Sequence, residues 1–117
     1  MKYTINDKEY TEFEINKRCA ELMGLKWHEF SNVSESRQWV NIEILRLKGQ
    51  PDFPEYSPCT NPADTWPIIE KCWDDLMVVD MIDYYAQWDL LMCEHNCTKL
   101  VAACICFIEI NEGNESE

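Results

Sequence analysis

The segment from Leu100 to Ile110 constrains the fold more than any other part of this chain. Its eleven residues read Leu-Val-Ala-Ala-Cys-Ile-Cys-Phe-Ile-Glu-Ile, and only one of them is charged. At helical spacing its apolar side chains form a wide stripe, made of Leu100, Val101, Ala103, Cys104, Ile105, Phe107 and Ile108. A helix that is apolar on nearly all sides belongs inside a protein, so the rest of the chain has to pack around it. We expect Asn96 to be its N-cap.

Length and composition indicate one folded domain, which we place at residues 1–110, followed by an acidic disordered tail at 111–117. The chain has 117 residues, of which 46% are hydrophobic, and this is too apolar for a disordered chain despite a net charge of -12. No run of about 20 apolar residues is present to cross a bilayer. The chain starts at Met1 without an apolar signal region, so we expect a cytoplasmic protein.

Capping patterns predict two further helices. Thr11-Glu12-Phe13-Glu14 is a capping box, which predicts a helix from about Glu12 to Met23. Asn61 is a good N-cap and Pro62 fits the first helical position, so a second helix is expected to begin there.

Alternating patterns predict the strands. Residues 38–45 alternate well enough for a strand, whereas 27–36 indicate a loop or an irregular strand, and 1–10 an arm or a short strand. Residues 77–82 and 88–93 are predicted strands that a hairpin at 83–87 would join. The order of helix, strand, helix, two strands and helix predicts an α+β fold, in which three helices pack on a small antiparallel sheet.

The acidic charge lies in the second half of the chain. Residues 1–50 hold eight basic and eight acidic side chains, whereas 51–117 hold two basic and fourteen acidic ones, and no Lys or Arg occurs between Lys71 and Lys99. A pI near 4.4 argues against direct binding to nucleic acid or an anionic membrane, because phosphate would be repelled. Two interpretations remain: a solvated face that keeps the protein in solution, or a surface matched to a basic partner.

Aromatic residues stand among these acids near the predicted hairpin tip. Tyr and Trp supply contact energy at low entropic cost and therefore suit recognition. The alternative is that Tyr84 or Trp88 simply covers the sheet. Trp66 is predicted to lie in the core, and no position is predicted for Trp73. The predicted partner-binding residues are Asp74, Asp75, Asp80, Asp83, Tyr84, Tyr85, Trp88, Asp89 and Glu94.

No pattern for catalysis or for a cofactor is found. The seven cysteines are an odd number and should be reduced thiols. Cys93, His95 and Cys97 could hold zinc if Cys59 or Cys72 came close, but structural zinc sites usually show two paired knuckles, so we predict no metal. None of the three glycines lies in a phosphate-binding loop, and no carboxylate pair has a distinctive spacing.

Three segments resemble the NinX-like proteins of lambdoid phages. Residues 13–17 with Ala20, Glu21 and Gly24 resemble the opening helix of that family, residues 59–70 its central signature, and residues 96–103 its final helix. The resemblance implies an α-β-α sandwich-like fold and a phage origin. We therefore expect a non-enzymatic binding protein in the host cytoplasm.

Its partner would be a host protein with a basic surface, and the first hypothesis is an inhibitor of host defence of the anti-CRISPR or anti-restriction type. Such an inhibitor would occupy a basic nucleic-acid-binding site by mimicking phosphate charge. The alternatives are a protein that sequesters a small molecule such as a nucleotide, or a phage accessory protein without a defence target.

Overall fold

Five helices and two antiparallel β-hairpins form the part of the chain that the structure describes. A computed structural model describes residues 2–35, 38–52, 54–79, 82 and 84–115. The elements in chain order are β1 (Lys2–Ile5), β2 (Lys8–Thr11), α1 (Glu12–Leu22), β3 (Trp27–Glu35), β4 (Gln38–Leu47), α2 (Pro62–Lys71), α3 (Trp73–Leu76), α4 (Gln87–His95) and α5 (Lys99–Glu115). The predicted α+β class is confirmed, with the antiparallel pairing divided between β1–β2 and β3–β4.

Helix α5 is the centre of the core, as its composition predicts. Residues 101–108 are all buried, and α5 contacts α1, α2, α3, α4 and β1. The helix begins two residues later than the predicted N-cap implies: the Thr98 hydroxyl accepts the amide of Val101 at 3.3 Å. Asn96 instead ends α4 in the left-handed conformation with φ of 50°, which Asn tolerates better than most residues. The predicted N-cap at Asn96 is therefore wrong.

The C-terminal part of α5 is joined to the N-terminal elements. The helix continues to Glu115, past residue 110, where the predicted domain ends. One carboxylate oxygen of Glu112 accepts the Tyr10 hydroxyl at 2.8 Å and the Arg18 Nε at 2.9 Å, and the other lies 3.5 Å from the amide nitrogen of Asn6. Only 11% of the Glu112 side chain is exposed. Residues 111 and 112 thus pack as part of the domain.

The first hairpin leads directly into α1. Asn6 and Asp7 form its turn with φ of 49° and 68°, the left-handed conformations that a tight two-residue hairpin requires. The predicted capping box of α1 is confirmed: Glu14 N–H donates to the Thr11 hydroxyl at 3.2 Å, and Thr11 N–H donates to the Glu14 carboxylate at 3.1 Å.

The predicted start of α2 is also confirmed. The Asn61 side chain accepts the amide of Ala63 at 3.0 Å, and Pro62 is the first helical residue. The buried Thr65 hydroxyl donates back to the carbonyl of Pro58, which fixes the loop before the helix.

The second hairpin, β3–β4, pairs Trp27 with Leu47 at one end and Glu35 with Gln38 at the other, with a bulge between Ser31 and Val33. It confirms the strand predicted at 38–45 and shows that the preceding segment is a strand as well.

The two strands predicted after α2 are wrong. Residues 88–93 belong to helix α4, and residues 77–79 contribute only an isolated bridge between Val79 and Ala86. Because Trp88 and Leu91 are both buried, the spacing that matters in this segment is helical. The hairpin predicted at 83–87 is consequently not formed by 84–87, while Asp80, Met81 and Asp83 lie outside the described residues.

Among the described residues no single helix is long and apolar enough to cross a membrane. Helices α4 and α5 reach that length and hydropathy only when they are taken together, and they are bent by 103° relative to each other.

Candidate functional site

A surface running from α2 through α3 to the start of α4 exposes many large apolar side chains. Among the side chains that the structure describes (residues 2–29, 44–52, 54–79, 82 and 84–112), the large hydrophobic ones that are exposed all fall between residues 66 and 85. Four carboxylates between residues 66 and 89 are exposed too: Glu70, Asp74, Asp75 and Asp89. We call these twelve side chains the 66–89 surface; its apolar members are Trp66, Trp73, Met77, Val78, Val79, Ile82, Tyr84 and Tyr85.

Backbone contacts hold the loop between α3 and α4 in place. Leu76 is fully buried and fastens α3 to the core. The amide of Gln87 donates to the carbonyl of Val78 at 2.7 Å, next to the bridge between Val79 and Ala86. The two ends of the loop are thus joined, and Tyr84, two residues before Ala86, is in the left-handed conformation with φ of 62°.

Trp88 is buried and packs against Trp73 of this surface. Its side chain is 8% exposed, and its indole N–H donates to the Lys99 carbonyl at 2.8 Å. Trp73 meets the Trp88 ring edge-on, with centroids 6.4 Å apart, and the Lys99 ammonium lies 4.8 Å from the Trp88 ring centroid. Trp88 was predicted to contact a partner, but the structure places it under Trp73 as a buried anchor.

Recesses open on the 66–89 surface both between α2 and α3 and along α4. A cleft of about 450 Å³ between α2 and α3 is lined by Trp66, Glu70, Trp73 and Asp74. A larger and mostly apolar groove of about 550 Å³ lies along α4 and is lined by Tyr85, Asp89, Leu90, Met92 and Cys93. Each recess therefore combines aromatic or apolar walls with at least one carboxylate.

The predicted site residues are only partly brought together. Asp74, Asp75, Tyr84, Tyr85 and Asp89 are exposed on the 66–89 surface. Glu94 is exposed at the other end of α4, beside a different recess that β1 and His95 line. Asp80 and Asp83 lie outside the described residues, and Trp88 is buried beneath Trp73.

Trp66 is a residue that the sequence prediction assigned to the core, and this is wrong because its side chain is 54% exposed. The signal was available in the helical spacing. The buried positions on α2 and α3 recur at helical intervals, and Trp66 falls outside that stripe. The stripe consists of Thr65, Ile68, Ile69, Cys72 and Leu76.

The cysteines lie mostly in the core as small apolar side chains. Cys93 is exposed, Cys97 is half-buried, and the other five are buried, all as free thiols. Burial raises the pKa of Cys97 to about 11, which leaves little of the reactive thiolate at neutral pH. Among the described residues, no three His, Cys, Asp or Glu side chains are grouped as metal ligands.

Comparison with known proteins gives one family. The family model described as bacteriophage P22 NinX matches residues 7–110, a range that includes α1 to α4, the 66–89 surface and most of α5. No curated protein and no solved structure matches the chain. The resemblance found in the sequence is thereby confirmed, and the chain belongs to the NinX family of bacteriophage P22.

Proposed function

We propose that this phage protein acts by binding another protein through the 66–89 surface. The observation that carries the proposal is the concentration of exposed Trp, Tyr and aliphatic side chains between residues 66 and 85. Contiguous exposed apolar patches of this kind mark interaction sites. Trp and Tyr are also the residues that most often dominate the binding energy of an interface.

The charge of the same surface indicates the chemistry of the partner. Glu70, Asp74, Asp75 and Asp89 are exposed there, and no Lys or Arg occurs between Lys71 and Lys99. Carboxylates around an apolar centre favour a partner with a basic surface and accelerate the encounter at low salt. More specifically, we propose that the partner is a nucleic-acid-binding protein of host defence, such as a CRISPR or restriction complex. The phage protein would inhibit it in the host cytoplasm by occupying its basic site.

The test is capture of host proteins by the wild type and by the double variant Tyr84→Ala/Tyr85→Ala. Truncation of contact aromatics costs at least about 2 kcal/mol at an interface centre, so we expect affinity to fall by roughly 30-fold or more. The matched control is Glu9→Ala, a change at an exposed residue on β2, far from the 66–89 surface in the chain.

Equal recovery of the partner by the wild type and by Tyr84→Ala/Tyr85→Ala would refute binding through this surface. An affinity that stays constant between about 50 and 300 mM salt would refute a basic partner, because exposed charges are screened over that range. Identification of the captured protein tests whether the partner is a nucleic-acid-binding protein of host defence. A partner that does not bind nucleic acid would contradict that part of the proposal.

A further inference from the structure

The cleft between α2 and α3 is lined by two residues from each helix. Trp66 and Glu70 lie one turn apart on α2, Trp73 and Asp74 are the first two residues of α3, and all four line the same cleft. These four side chains lie away from the buried stripe that packs α2 and α3 onto α5, which consists of Thr65, Ile68, Ile69, Cys72 and Leu76. Two indoles and two carboxylates are therefore turned outward side by side.

We propose that this cleft receives an arginine side chain of the partner. The inference rests on the proposed function, because it names the chemical group that part of the 66–89 surface recognises. Trp66 and Trp73 are exposed by 54% and 45%, and both indoles line the cleft. In the part of the chain that the structure describes, neither Glu70 nor Asp74 takes part in an ion pair.

The composition of the cleft selects a cation over other ligands. An apolar side chain seated between the carboxylates would remove them from water without a partner, which is costly, and an anion would be repelled. A cation gains from both walls, because it is attracted by the face of an indole ring and by the carboxylates.

Arginine fits better than lysine. The guanidinium is planar and weakly hydrated, so it can stack on an indole while its N–H groups donate to a carboxylate. The lysine ammonium is a compact and strongly hydrated point charge that does not stack in this way.

A cation–π contact, made by a lysine of the chain itself, already lies next to the cleft. The Lys99 ammonium lies 4.8 Å from the Trp88 ring centroid, and Trp73 packs edge-on against the same ring. Because Trp88 is buried and its ring already meets Lys99, an incoming cation can reach only the exposed indoles of this group, those of Trp66 and Trp73.

The test uses blocked pentapeptides with Arg, Lys or citrulline between glycines, titrated over the millimolar range. Citrulline keeps the shape of arginine and lacks its charge. The indole N–H signals in ¹H–¹⁵N spectra are assigned with Trp66→Phe and Trp73→Phe. We expect saturable shifts of the Trp66 and Trp73 signals with the arginine peptide. Citrulline should bind about tenfold more weakly, as expected for one cation–π contact together with exposed ion pairs, and lysine should lie between the two.

The double variant Glu70→Gln/Asp74→Asn should weaken arginine binding by about tenfold. The control Glu94→Gln removes an exposed carboxylate outside the cleft and should leave binding unchanged. Equal binding of arginine and citrulline, silent indole signals, or an unaffected double variant would each overturn the inference.

These outcomes separate the inference from the proposed function. If the Trp66 and Trp73 indole signals do not shift, but partner capture still depends on Tyr84 and Tyr85, only the arginine site is refuted. Arginine binding without any partner that depends on those tyrosines supports the site and refutes the proposed interface.

Discussion

Replacing Glu112 with glutamine should destabilise the domain measurably, although this residue lies in a segment that resembles an acidic tail in the sequence. The Glu112 carboxylate joins α5 to Tyr10 and Arg18, which are 102 and 94 residues away along the chain. Only 11% of its side chain and 18% of the Arg18 side chain are exposed, so solvent screens this ion pair weakly.

The expected loss follows from the contacts that the substitution removes and those that it spares. A hydrogen bond to a charged group contributes about 1.5–3 kcal/mol. The amide oxygen of Glu112→Gln can still accept the Tyr10 hydroxyl, and Arg18 keeps Glu21 at 2.6 Å. We therefore expect a loss near the lower end, about 1–2 kcal/mol, which for a domain of this size lowers Tm by roughly 4–8 °C.

Calorimetry or urea unfolding measures this loss, with Glu9→Gln as the control. Lys2 and Glu9 form an exposed ion pair of 3.8 Å, and exposed pairs of this kind contribute little. If Glu112→Gln lowers the free energy of unfolding no more than Glu9→Gln does, the reasoning about the Glu112 contacts is refuted.

The same variant has a defined pH dependence. Burial raises the pKa of Glu112, but the hydrogen bonds from Tyr10, Arg18 and Asn6 together outweigh it, so the pKa is lowered in the folded state. A lowered folded pKa stabilises the protein above the unfolded value of about 4.3, and this stabilisation is lost as the pH falls through the folded pKa. The difference between wild type and Glu112→Gln should be full at pH 7 and shrink below about pH 4. A difference that stays constant from about pH 7 to 3 would contradict this ionisation.

Two further predictions concern α1 and the thiols. Asn16→Ala removes the oxygen that accepts the buried Cys59 amide at 3.0 Å, and an unpaired buried amide should cost about 1–3 kcal/mol in urea unfolding; an unchanged midpoint would show that this hydrogen bond contributes nothing. In the native protein Cys93, the exposed cysteine, should alone react rapidly with an aromatic disulfide reagent, so Cys93→Ser should abolish the fast phase. A fast phase that survives the substitution would mean that the half-buried Cys97 or a buried thiol is accessible.

Local signals predicted the elements whose ends depend on nearby residues. The capping box of α1 and the Asn61–Pro62 start of α2 each need contacts within about four residues, so they could be inferred from the sequence. The burial of α5 followed from a composition that leaves no polar side to face water.

The helical nature of α4 could not be inferred in the same way. Residues 88–93 are apolar at most positions, so their pattern suits a strand or a helix equally well. What decides is tertiary: Leu91 is buried where α4 packs against α5, and the Trp88 indole donates to the carbonyl of Lys99, eleven residues further on.

The dependence on tertiary packing also explains which residues of the candidate site could be predicted from the sequence. Sequence alone indicated that Tyr84 and Tyr85 lie among acids near a turn, and both are exposed in the loop before α4. The outward position of Trp66 and the inward position of Trp88 depend on which helical face meets the core, and a strand interpretation reverses such assignments.

The place of α5 in the chain order has a consequence for biosynthesis. Every other helix and β1 pack on this helix, yet it is the last of the described elements to be translated. Until it emerges from the ribosome, the buried side chains of α1, α2 and α4 have no common surface to cover them. Contacts such as Tyr10 with Glu112, 102 residues apart, close loops that span almost the whole described chain. We therefore expect the nascent chain to stay incompletely folded, with apolar surface exposed to chaperones, until α5 has been synthesised.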